Sequence, residues 1–356
     1  MKILLTFFLL FSQTYSLYSN PVGQLTSSEL SFFVEDFLQK NPEASILSCA
    51  KKYLEIHGKK NLGEVFSILL SKKLVDPQEI EEIVDDKEVS NALSNQWGGV
   101  FQKCIRDNQG DTFYKLLGNS KVLEKVDSKD LESVLEYCIS CNKIDFFDKI
   151  LENEKVLEKV DNEDLKSVLE YSLSCNKIDF FDKLSGNEKV LEKLDNEDFK
   201  SVLEDCIYED KIDFFDKLSG NEKVLEKLDS EYLRSVLNRF IYEDKIDFFD
   251  KLSGNEKVLE KVDNEDLKSV LEYSLSCNKI DFFDKLSGNE KVLEKLDNED
   301  FKSVLEDCIY EDKIDFFDKL SGNEKILKKL DNEDLKSVLE YSLSCNKIDF
   351  FDKLSG

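Results

Sequence analysis

The chain has 356 residues, with 49 Lys and Arg against 76 Asp and Glu, which gives a formal net charge of −27. This charge opposes binding to phosphate backbones and to anionic membrane surfaces, so we expect no nucleic-acid partner. The 26 Phe and the many aliphatic residues recur at regular intervals. The composition therefore indicates a folded protein and excludes a disordered acidic tail.

The first 16 residues have the three parts of a targeting segment. Lys2 supplies the positive start, Ile3 to Phe11 form an apolar run, and Thr14-Tyr15-Ser16 is a small-x-small cleavage signal. This pattern predicts a signal peptide at 1–16, cleaved after Ser16, and a secreted protein. The alternative is a buried apolar N-terminal helix. Because the run is shorter than the roughly 20 residues that span a bilayer, we expect no membrane anchor.

Residues 17–92 do not show the repeat that fills the later chain. Their periodicity predicts helices at Leu30–Leu38, Ile46–Ile56 and Val65–Leu74. We expect a small N-terminal helical cap, because the first unit of a repeat array otherwise exposes its apolar face. Residues 93–118 contain a worn copy of the repeat and are predicted to form a degenerate first unit.

A segment reading Lys-Ile-Asp-Phe-Phe-Asp-Lys recurs at a fixed period of 34 residues. A period of this size is typical of stacked helical repeats. Seven complete copies occupy residues 119–356, and residues 161–223 are identical to 263–325, which indicates duplication of three units at a time. The seven segments begin at Lys143, Lys177, Lys211, Lys245, Lys279, Lys313 and Lys347.

The unit 187–220 predicts two or three helices. A first helix, A, is indicated by i, i+3, i+4, i+7, i+8 apolar spacing, and Asp195 or Asn196 can cap it. A shorter helix, B, is predicted from about Lys211 to Leu218 and ends at Ser219-Gly220. The stretch from Asn187 to Leu194 is predicted to be a third, short helix. The apolar positions of helix A are Phe199, Val202, Leu203, Cys206 and Ile207.

No strand pattern occurs in the unit, so the predicted fold class is all-α: an α-solenoid of 34-residue helical-hairpin repeats with a small N-terminal helical cap. The segment from Leu169 to Leu184 resembles the two-helix core of an ankyrin repeat. The unit lacks that family's Thr-Pro, His, paired Ala and Gly, and a helical linker is favoured over the ankyrin β-hairpin. Tetratricopeptide-like or other α-solenoids are the second choice. The resemblance implies partner binding along one face, without fixed chemistry.

The sequence predicts no catalytic, cofactor-binding or metal-binding residue. The single histidine, His57, is interpreted as an exposed residue at a helix end, because no nucleophile motif or second His accompanies it. The acidic cluster Asp161-Asn162-Glu163-Asp164 is interpreted as helix capping, because its spacing does not fit a calcium loop. The Phe-Phe pairs of helix B are predicted to be core residues, because a repeated exposed pair would be adhesive.

Most of the nine cysteines recur with the repeat, and they are predicted to be small core residues. Cys138-x-x-Cys141 is not expected to hold zinc, because its two positions are never both Cys in a later copy. Equivalent positions in stacked helices lie roughly 10 Å apart, which excludes disulfides between them. One repeat position holds Cys138, Cys206 and Cys308, and another holds Cys141, Cys175, Cys277 and Cys345.

Together these features predict a secreted, non-enzymatic repeat scaffold that binds another protein, with a host-directed role for a parasite or symbiont as one hypothesis. Acidic repeats would steer a partner with a basic surface. The alternative is a structural coat or a surface decoy, in which the copies supply length or antigenic bulk.

Overall fold

The structure is a computed structural model that describes residues 25–72 and 77–355. The predicted signal peptide at 1–16 lies outside these residues. The described residues form 28 helices and no strand, which confirms the all-α prediction. The chain divides into two compact units, Met1–Lys193 and Leu194–Gly356. No described helix combines the length and the apolarity needed to cross a bilayer.

The described helices of the N-terminal unit include the three predicted before residue 92. They are Ser27–Lys40 (α1), Ile46–His57 (α2), Leu62–Lys72 (α3), Pro77–Asp85 (α4), Lys87–Leu93 (α5), Trp97–Arg106 (α6), Gly110–Gly118 (α7), Ser120–Lys125 (α8), Ser128–Ser140 (α9), Ile144–Leu151 (α10), Glu154–Lys159 (α11), Asn162–Ser174 (α12), Ile178–Ser185 (α13) and Glu188–Lys193 (α14).

The described helices of the C-terminal unit repeat one order of long, medium and short. They are Asn196–Tyr208 (α15), Ile212–Ser219 (α16), Glu222–Lys227 (α17), Ser230–Glu243 (α18), Ile246–Ser253 (α19), Glu256–Lys261 (α20), Asn264–Ser276 (α21), Ile280–Ser287 (α22), Glu290–Lys295 (α23), Asn298–Tyr310 (α24), Ile314–Ser321 (α25), Glu324–Lys329 (α26), Asn332–Ser344 (α27) and Ile348–Ser355 (α28).

Three kinds of helix make one repeat, as the sequence predicts. The A helices are α6, α9, α12, α15, α18, α21, α24 and α27. The B helices are α7, α10, α13, α16, α19, α22, α25 and α28. The linker helices are α8, α11, α14, α17, α20, α23 and α26. Within each unit, B helices of successive repeats pack against each other, and so do the A helices α6, α9 and α12 in the N-terminal unit and α18, α21, α24 and α27 in the C-terminal unit. In the N-terminal unit α3 packs on α6 in the same way.

Helix A begins and packs as its sequence predicts. In α15 the Asp195 carboxylate accepts the Asp198 N–H, and the Asp198 carboxylate accepts the Asp195 N–H. This reciprocal cap satisfies two N–H groups that the helix itself leaves free. The five predicted apolar residues of α15 are all buried. The spacing of apolar residues therefore predicts the buried face of helix A correctly.

Helix A ends in a left-handed residue, which the sequence analysis did not assign. Asn176 has a φ of 56° and Asp210 a φ of 58°. The backbone N–H of the residue that follows donates across the turn to helix A. The Lys211 N–H, for example, donates to the Cys206 carbonyl at 2.8 Å. Asn and Asp tolerate this conformation better than other residues with a side chain. By contrast, Gly220, which was expected to end helix B as a glycine cap, is right-handed with a φ of −82°.

The aromatic core runs between B helices of successive repeats. The rings of Phe147 and Phe180 meet edge to face with centroids 5.0 Å apart in the N-terminal unit. In the C-terminal unit Phe283 and Phe316 repeat the contact at 5.0 Å. Both rings of each Phe-Phe pair from Phe146-Phe147 to Phe316-Phe317 are at most 4% exposed, which confirms the prediction that these pairs are core. Each pair therefore serves the interface between neighbours as well as its own repeat.

Lysines of the linker helices add a polar link between repeats. Lys193 Nζ donates to the Leu157 carbonyl at 2.6 Å in the N-terminal unit. In the C-terminal unit Lys295 Nζ reaches the carbonyls of Leu259 and Glu260, both at 2.8 Å. These carbonyls lie at the end of the preceding linker helix, where free acceptors and the negative end of the helix dipole favour a cation.

The cysteines divide into two environments, so the prediction that they are all core residues is wrong for one set. Cys138, Cys206 and Cys308 are fully buried inside helix A. The second set follows the last turn of helix A, where the chain leaves the core; Cys141 is exposed, and Cys175, Cys277 and Cys345 are half-buried. All nine cysteines are free thiols.

His57 is not the exposed residue that the sequence analysis expected. It ends α2, but its ring packs at 5.7 Å from Phe33 and at 5.0 Å from Tyr53, between centroids. Burial lowers its pKa. Its Nε2 atom is buried and has no hydrogen-bond partner among the described residues. The apolar side of α2 extends through its last turn, and His57 completes this side.

Candidate functional site

Each A helix of the seven complete repeats carries one tyrosine near its C-terminal end, on the side that is not packed in the core. We call this set the tyrosine row. In each repeat the tyrosine lies either five or two residues before the left-handed residue. These are called the earlier and the later position, and no repeat has a tyrosine at both. The row contains Tyr137 and Tyr171 in the N-terminal unit, and Tyr208, Tyr242, Tyr273, Tyr310 and Tyr341 in the C-terminal unit.

The tyrosines at the earlier position are half-buried and bonded to their surroundings. The Tyr171 hydroxyl lies 2.7 Å from Ser140 Oγ of the preceding repeat. Burial, followed by hydrogen bonding to the Cys141 thiol, raises the pKa of Tyr137. Burial and the Cys277 thiol likewise raise the pKa of Tyr273. These residues are held in place by the repeat, and the half-exposed cysteines of the second set help to hold them.

The tyrosines at the later position are turned to solvent. Tyr208 is 83% exposed, and Tyr242 and Tyr310 are each 75% exposed. In all three copies a Glu and an Asp follow directly, and both are exposed. Large exposed aromatic side chains are unusual at such fractions, and Tyr is enriched where proteins bind one another. We call these three residues the outer tyrosines.

A row of glutamates occupies one fixed position of the A helices, directly before the tyrosine at the earlier position and four residues before the tyrosine at the later position. Burial raises the pKa of Glu136 in the N-terminal unit, and the neighbouring Glu132 adds to the effect. In the C-terminal unit burial raises the pKa of Glu272 and also that of Asp307. Asp307 contributes to the rise at Glu272. Burial is therefore the main cause of the raised pKa values of Glu136 and Glu272, and neighbouring acidic groups add to it.

The repeat 221–254 departs from the others on this face. Arg239 occupies the position that is Tyr or Asp elsewhere, and its guanidinium pairs with Glu204 of the preceding repeat and, at 2.8 Å, with Glu243. Asn238 replaces the glutamate of the row, and its Oδ1 is buried without a hydrogen-bond partner among the described residues. This repeat therefore has a distinct polar surface next to Tyr242.

The acidic cluster at the start of helix A has two structural roles. Asp164 is 2% exposed, accepts a hydrogen bond from Ser128 Oγ, and lies 2.6 Å from Lys129 Nζ of the preceding repeat. Burial opposes ionisation of Asp164, yet the bonds to Lys129 and Ser128 outweigh it and lower its pKa. Asp263, the copy of Asp161, caps its helix by accepting the Asp266 N–H at 2.9 Å. Within residues 25–72 and 77–355, no group of His, Cys, Asp or Glu has an arrangement that could hold a metal ion.

The N-terminal unit has a polar cavity of about 490 Å³ on its A-helix side. Gln102, Lys103, Arg106 and Tyr137 line it. Its two cations are already engaged, because Asp107 lies 2.8 Å from Lys103 Nζ and 3.5 Å from Arg106 Nε. The cavity therefore presents polar groups without a strong net field.

A family model described as a repeat of unknown function (DUF1103) matches residues 58–247 and 225–356. The chain belongs to this family. Its match begins at residue 58, inside the region 17–92 in which the sequence analysis expected a cap. This start agrees with the packing of α3 on α6, because α3 contacts α6 as one A helix contacts the next.

Two further comparisons add little to the family assignment. No curated protein matches the chain. One solved structure that the chain matches is a circular tandem repeat protein with novel repeat topology and enhanced subunit contact surfaces. The two sequences are 10% identical, and the match covers 92% of this chain and 76% of that protein, with a TM-score of 0.20. A TM-score this low carries no argument about shape or function.

The outer tyrosines are the feature of this DUF1103 chain that sequence reasoning missed. The helical spacing that identifies the core of α15 also excludes Tyr208 from it, since Ile207 is the last residue of the apolar series. A large aromatic residue outside that series, repeated at Tyr242 and Tyr310, was the available signal. The Phe-Phe pairs are also repeated in every copy, but they were predicted to be core residues.

Proposed function

We propose that the chain is an exported, non-enzymatic scaffold that binds another protein through the exposed face of its A helices. The observation that carries this proposal is the tyrosine row, one tyrosine near the C-terminal end of helix A in each of the seven complete repeats, with three of them at least 75% exposed. Tyrosine buries a large area at a low entropic cost and is prominent among residues that dominate binding energy.

The partner is proposed to have a basic surface. The net charge of −27 favours a cationic counterpart. Such charges mainly accelerate the encounter and set its dependence on salt, whereas the aromatic contacts supply affinity. A host-directed role after export remains part of the proposal and rests on the targeting pattern of residues 1–16 together with the copied repeats.

The ankyrin resemblance contributes only an analogy to this proposal. The chain has a two-helix core in each repeat, and a linker helix such as α17 stands where an ankyrin repeat has its β-hairpin. Proteins of stacked repeats commonly bind partners along one extended face. The A-helix face of the C-terminal unit, on which the outer tyrosines lie, is suited to this mode.

The proposal is tested by affinity capture with the full chain and with a variant that carries Tyr208→Ser, Tyr242→Ser and Tyr310→Ser. Serine already occupies this position at Ser174, Ser276 and Ser344, so the variant is expected to keep its fold, as circular dichroism would show. A control carries Glu226→Gln, Glu260→Gln and Glu294→Gln, three exposed changes on linker helices.

We expect the wild-type chain and the control to capture the same protein, and the tyrosine variant to lose it. Equal capture by all three chains would contradict a role for the outer tyrosines. A second candidate function, a coat or decoy, is favoured by the identity of residues 161–223 and 263–325, surfaces included. That function predicts abundant surface deposition and no partner that depends on these tyrosines.

A further inference from the structure

The negative charge of the chain is concentrated in its C-terminal unit. Residues 194–356 carry 43 acidic and 25 basic side chains, a formal charge of −18, whereas residues 1–193 carry 33 and 24, a charge of −9. All three outer tyrosines lie in this more acidic unit. A ligand that meets these rings therefore also meets the stronger negative field, which selects cationic groups.

Aromatic rings of this unit already bind cations within the protein. Lys200 Nζ lies 5.1 Å from the ring centroid of Tyr232, and Lys245 Nζ lies 5.1 Å from that of Phe248. Tyr208 and Tyr310 combine the same kind of ring with an adjacent exposed glutamate, Glu209 and Glu311, and all three outer tyrosines face solvent. Their chemistry thus suits a cation brought by another molecule.

Arginine fits this arrangement better than lysine. A guanidinium stacks flat on an aromatic ring while its N–H groups reach neighbouring acceptors, which a compact ammonium cannot do. One such acceptor is the exposed carboxylate of Glu311, which directly follows Tyr310. Glu209 directly follows Tyr208 and offers a carboxylate there.

The spacing of the outer tyrosines defines a register. Helices α15 and α18 are joined by the Arg239–Glu204 ion pair and by a hydrogen bond of 3.3 Å from the Tyr232 hydroxyl to the Lys200 carbonyl. At about 10 Å per repeat, the upper end of the range for neighbouring helices, Tyr208 and Tyr242 are separated by about the length of three residues of extended chain. Tyr310 is two repeats beyond Tyr242, or about six further residues.

We propose that the outer tyrosines bind an extended, arginine-bearing basic segment of a partner protein, with arginines at positions i, i+3 and i+9 of that segment. Each guanidinium stacks on one of the rings Tyr208, Tyr242 and Tyr310, and the carboxylates of Glu209 and Glu311 neutralise the guanidiniums on Tyr208 and Tyr310. This inference rests on the proposed function and specifies the chemistry of its partner.

The test uses the full chain and three fluorescent ten-residue peptides of equal charge. The first has arginine at positions one, four and ten, lysine at positions two, five, seven and nine, and serine elsewhere. The second replaces every arginine with lysine, and the third moves the arginines to positions one, two and five by exchanging them with lysines. Dissociation constants are measured by anisotropy at low and at physiological salt for the wild type, for the Tyr208→Ser, Tyr242→Ser, Tyr310→Ser variant and for the linker-helix control.

We expect the register-matched peptide to bind wild type about tenfold more tightly than the lysine peptide, and the tyrosine variant to abolish that preference. The displaced-arginine peptide should fall between them. Equal binding of all three peptides, the same binding by the tyrosine variant, or no binding at low salt would overturn the inference. Partner capture that depends on these tyrosines but occurs without arginine selectivity would leave the proposed function standing and remove only this inference.

Discussion

The ring of Phe249 in one repeat meets the ring of Phe282 in the next edge to face, with centroids 4.9 Å apart. Phe249 is fully buried and Phe282 is 2% exposed. The two residues lie 33 positions apart, so neither ring can reach this environment within its own repeat. This contact shows how the array is stabilised, because each repeat completes its core with side chains from its neighbours.

Removing such a ring should therefore destabilise more than one repeat. Phe282→Ala is expected to lower the free energy of unfolding by about 3–5 kcal/mol, because it leaves a cavity between two B helices. Urea unfolding followed by circular dichroism measures this loss. Tyr310→Ser serves as the control, since an exposed side chain should change stability by no more than about 0.5 kcal/mol. Equal effects of the two substitutions would be inconsistent with a core shared between repeats.

The buried carboxylate of Asp164 should contribute stability that depends on pH. Asp164→Ala is expected to cost about 1–3 kcal/mol at pH 7, because Ser128 and Lys129 lose their acceptor across the repeat boundary. Since the pKa of Asp164 is lowered in the folded chain, its contribution is present above the unfolded pKa of about 3.9. It is lost as the pH falls through the folded pKa.

Thermal unfolding of wild type and Asp164→Ala between pH 7 and pH 2 checks this sign. The difference in melting temperature should be largest near neutral pH and should shrink below about pH 4. Glu163→Ala, an exposed change next to it, is the matched control. A difference that stays constant down to pH 2 would refute the assigned role of the ionised carboxylate.

The left-handed residue after helix A should discriminate between two small substitutes. Asn176→Gly and Asn176→Ala both remove the side chain, but only alanine is strained at a φ of 56°. The alanine variant should therefore be less stable than the glycine variant by about 1–2 kcal/mol. Chemical unfolding of the two variants measures the difference directly, and equal stabilities would show that the turn relaxes at no cost.

The two sets of cysteines should differ in reactivity. Burial raises the pKa of Cys206 and Cys308, and the buried thiols are also sheltered, so alkylation at pH 8 should spare both. Cys141 is exposed and should react first. Mass spectrometry of peptides from the folded chain and from the urea-unfolded chain gives the comparison. The folded chain reacting at Cys206 as fast as at Cys141 would be incompatible with the fold.

Much of this architecture was predictable because it is encoded locally and repeated. The spacing of Phe199, Val202 and Leu203 specifies the buried side of helix A, and Asp195 marks its start. The period of 34 residues indicates stacking. These signals depend only on helical geometry and capping, which any one copy of the repeat contains.

The remaining features depend on how one repeat is placed on the next. Asp164 looks like a helix-capping residue in the sequence, and only the packing of α12 on α9 brings Ser128 and Lys129 to it. His57 was predicted to be exposed because the sequence does not show that Phe33 and Tyr53 converge on it. The exposed state of Tyr208 could have been inferred from its place beside the apolar series, but the half-buried state of Tyr171 could not, since it needs Ser140 of the preceding repeat.

The central claim is that each copy obtains an adequate core only by stacking on its neighbours. It is tested most directly by comparing the helicity and the unfolding free energy of residues 255–288 alone, of residues 221–322, and of the full chain. We predict that the single copy is mainly unfolded by circular dichroism, and that stability rises with the number of copies. A single copy that folds as firmly as the full chain would contradict the account.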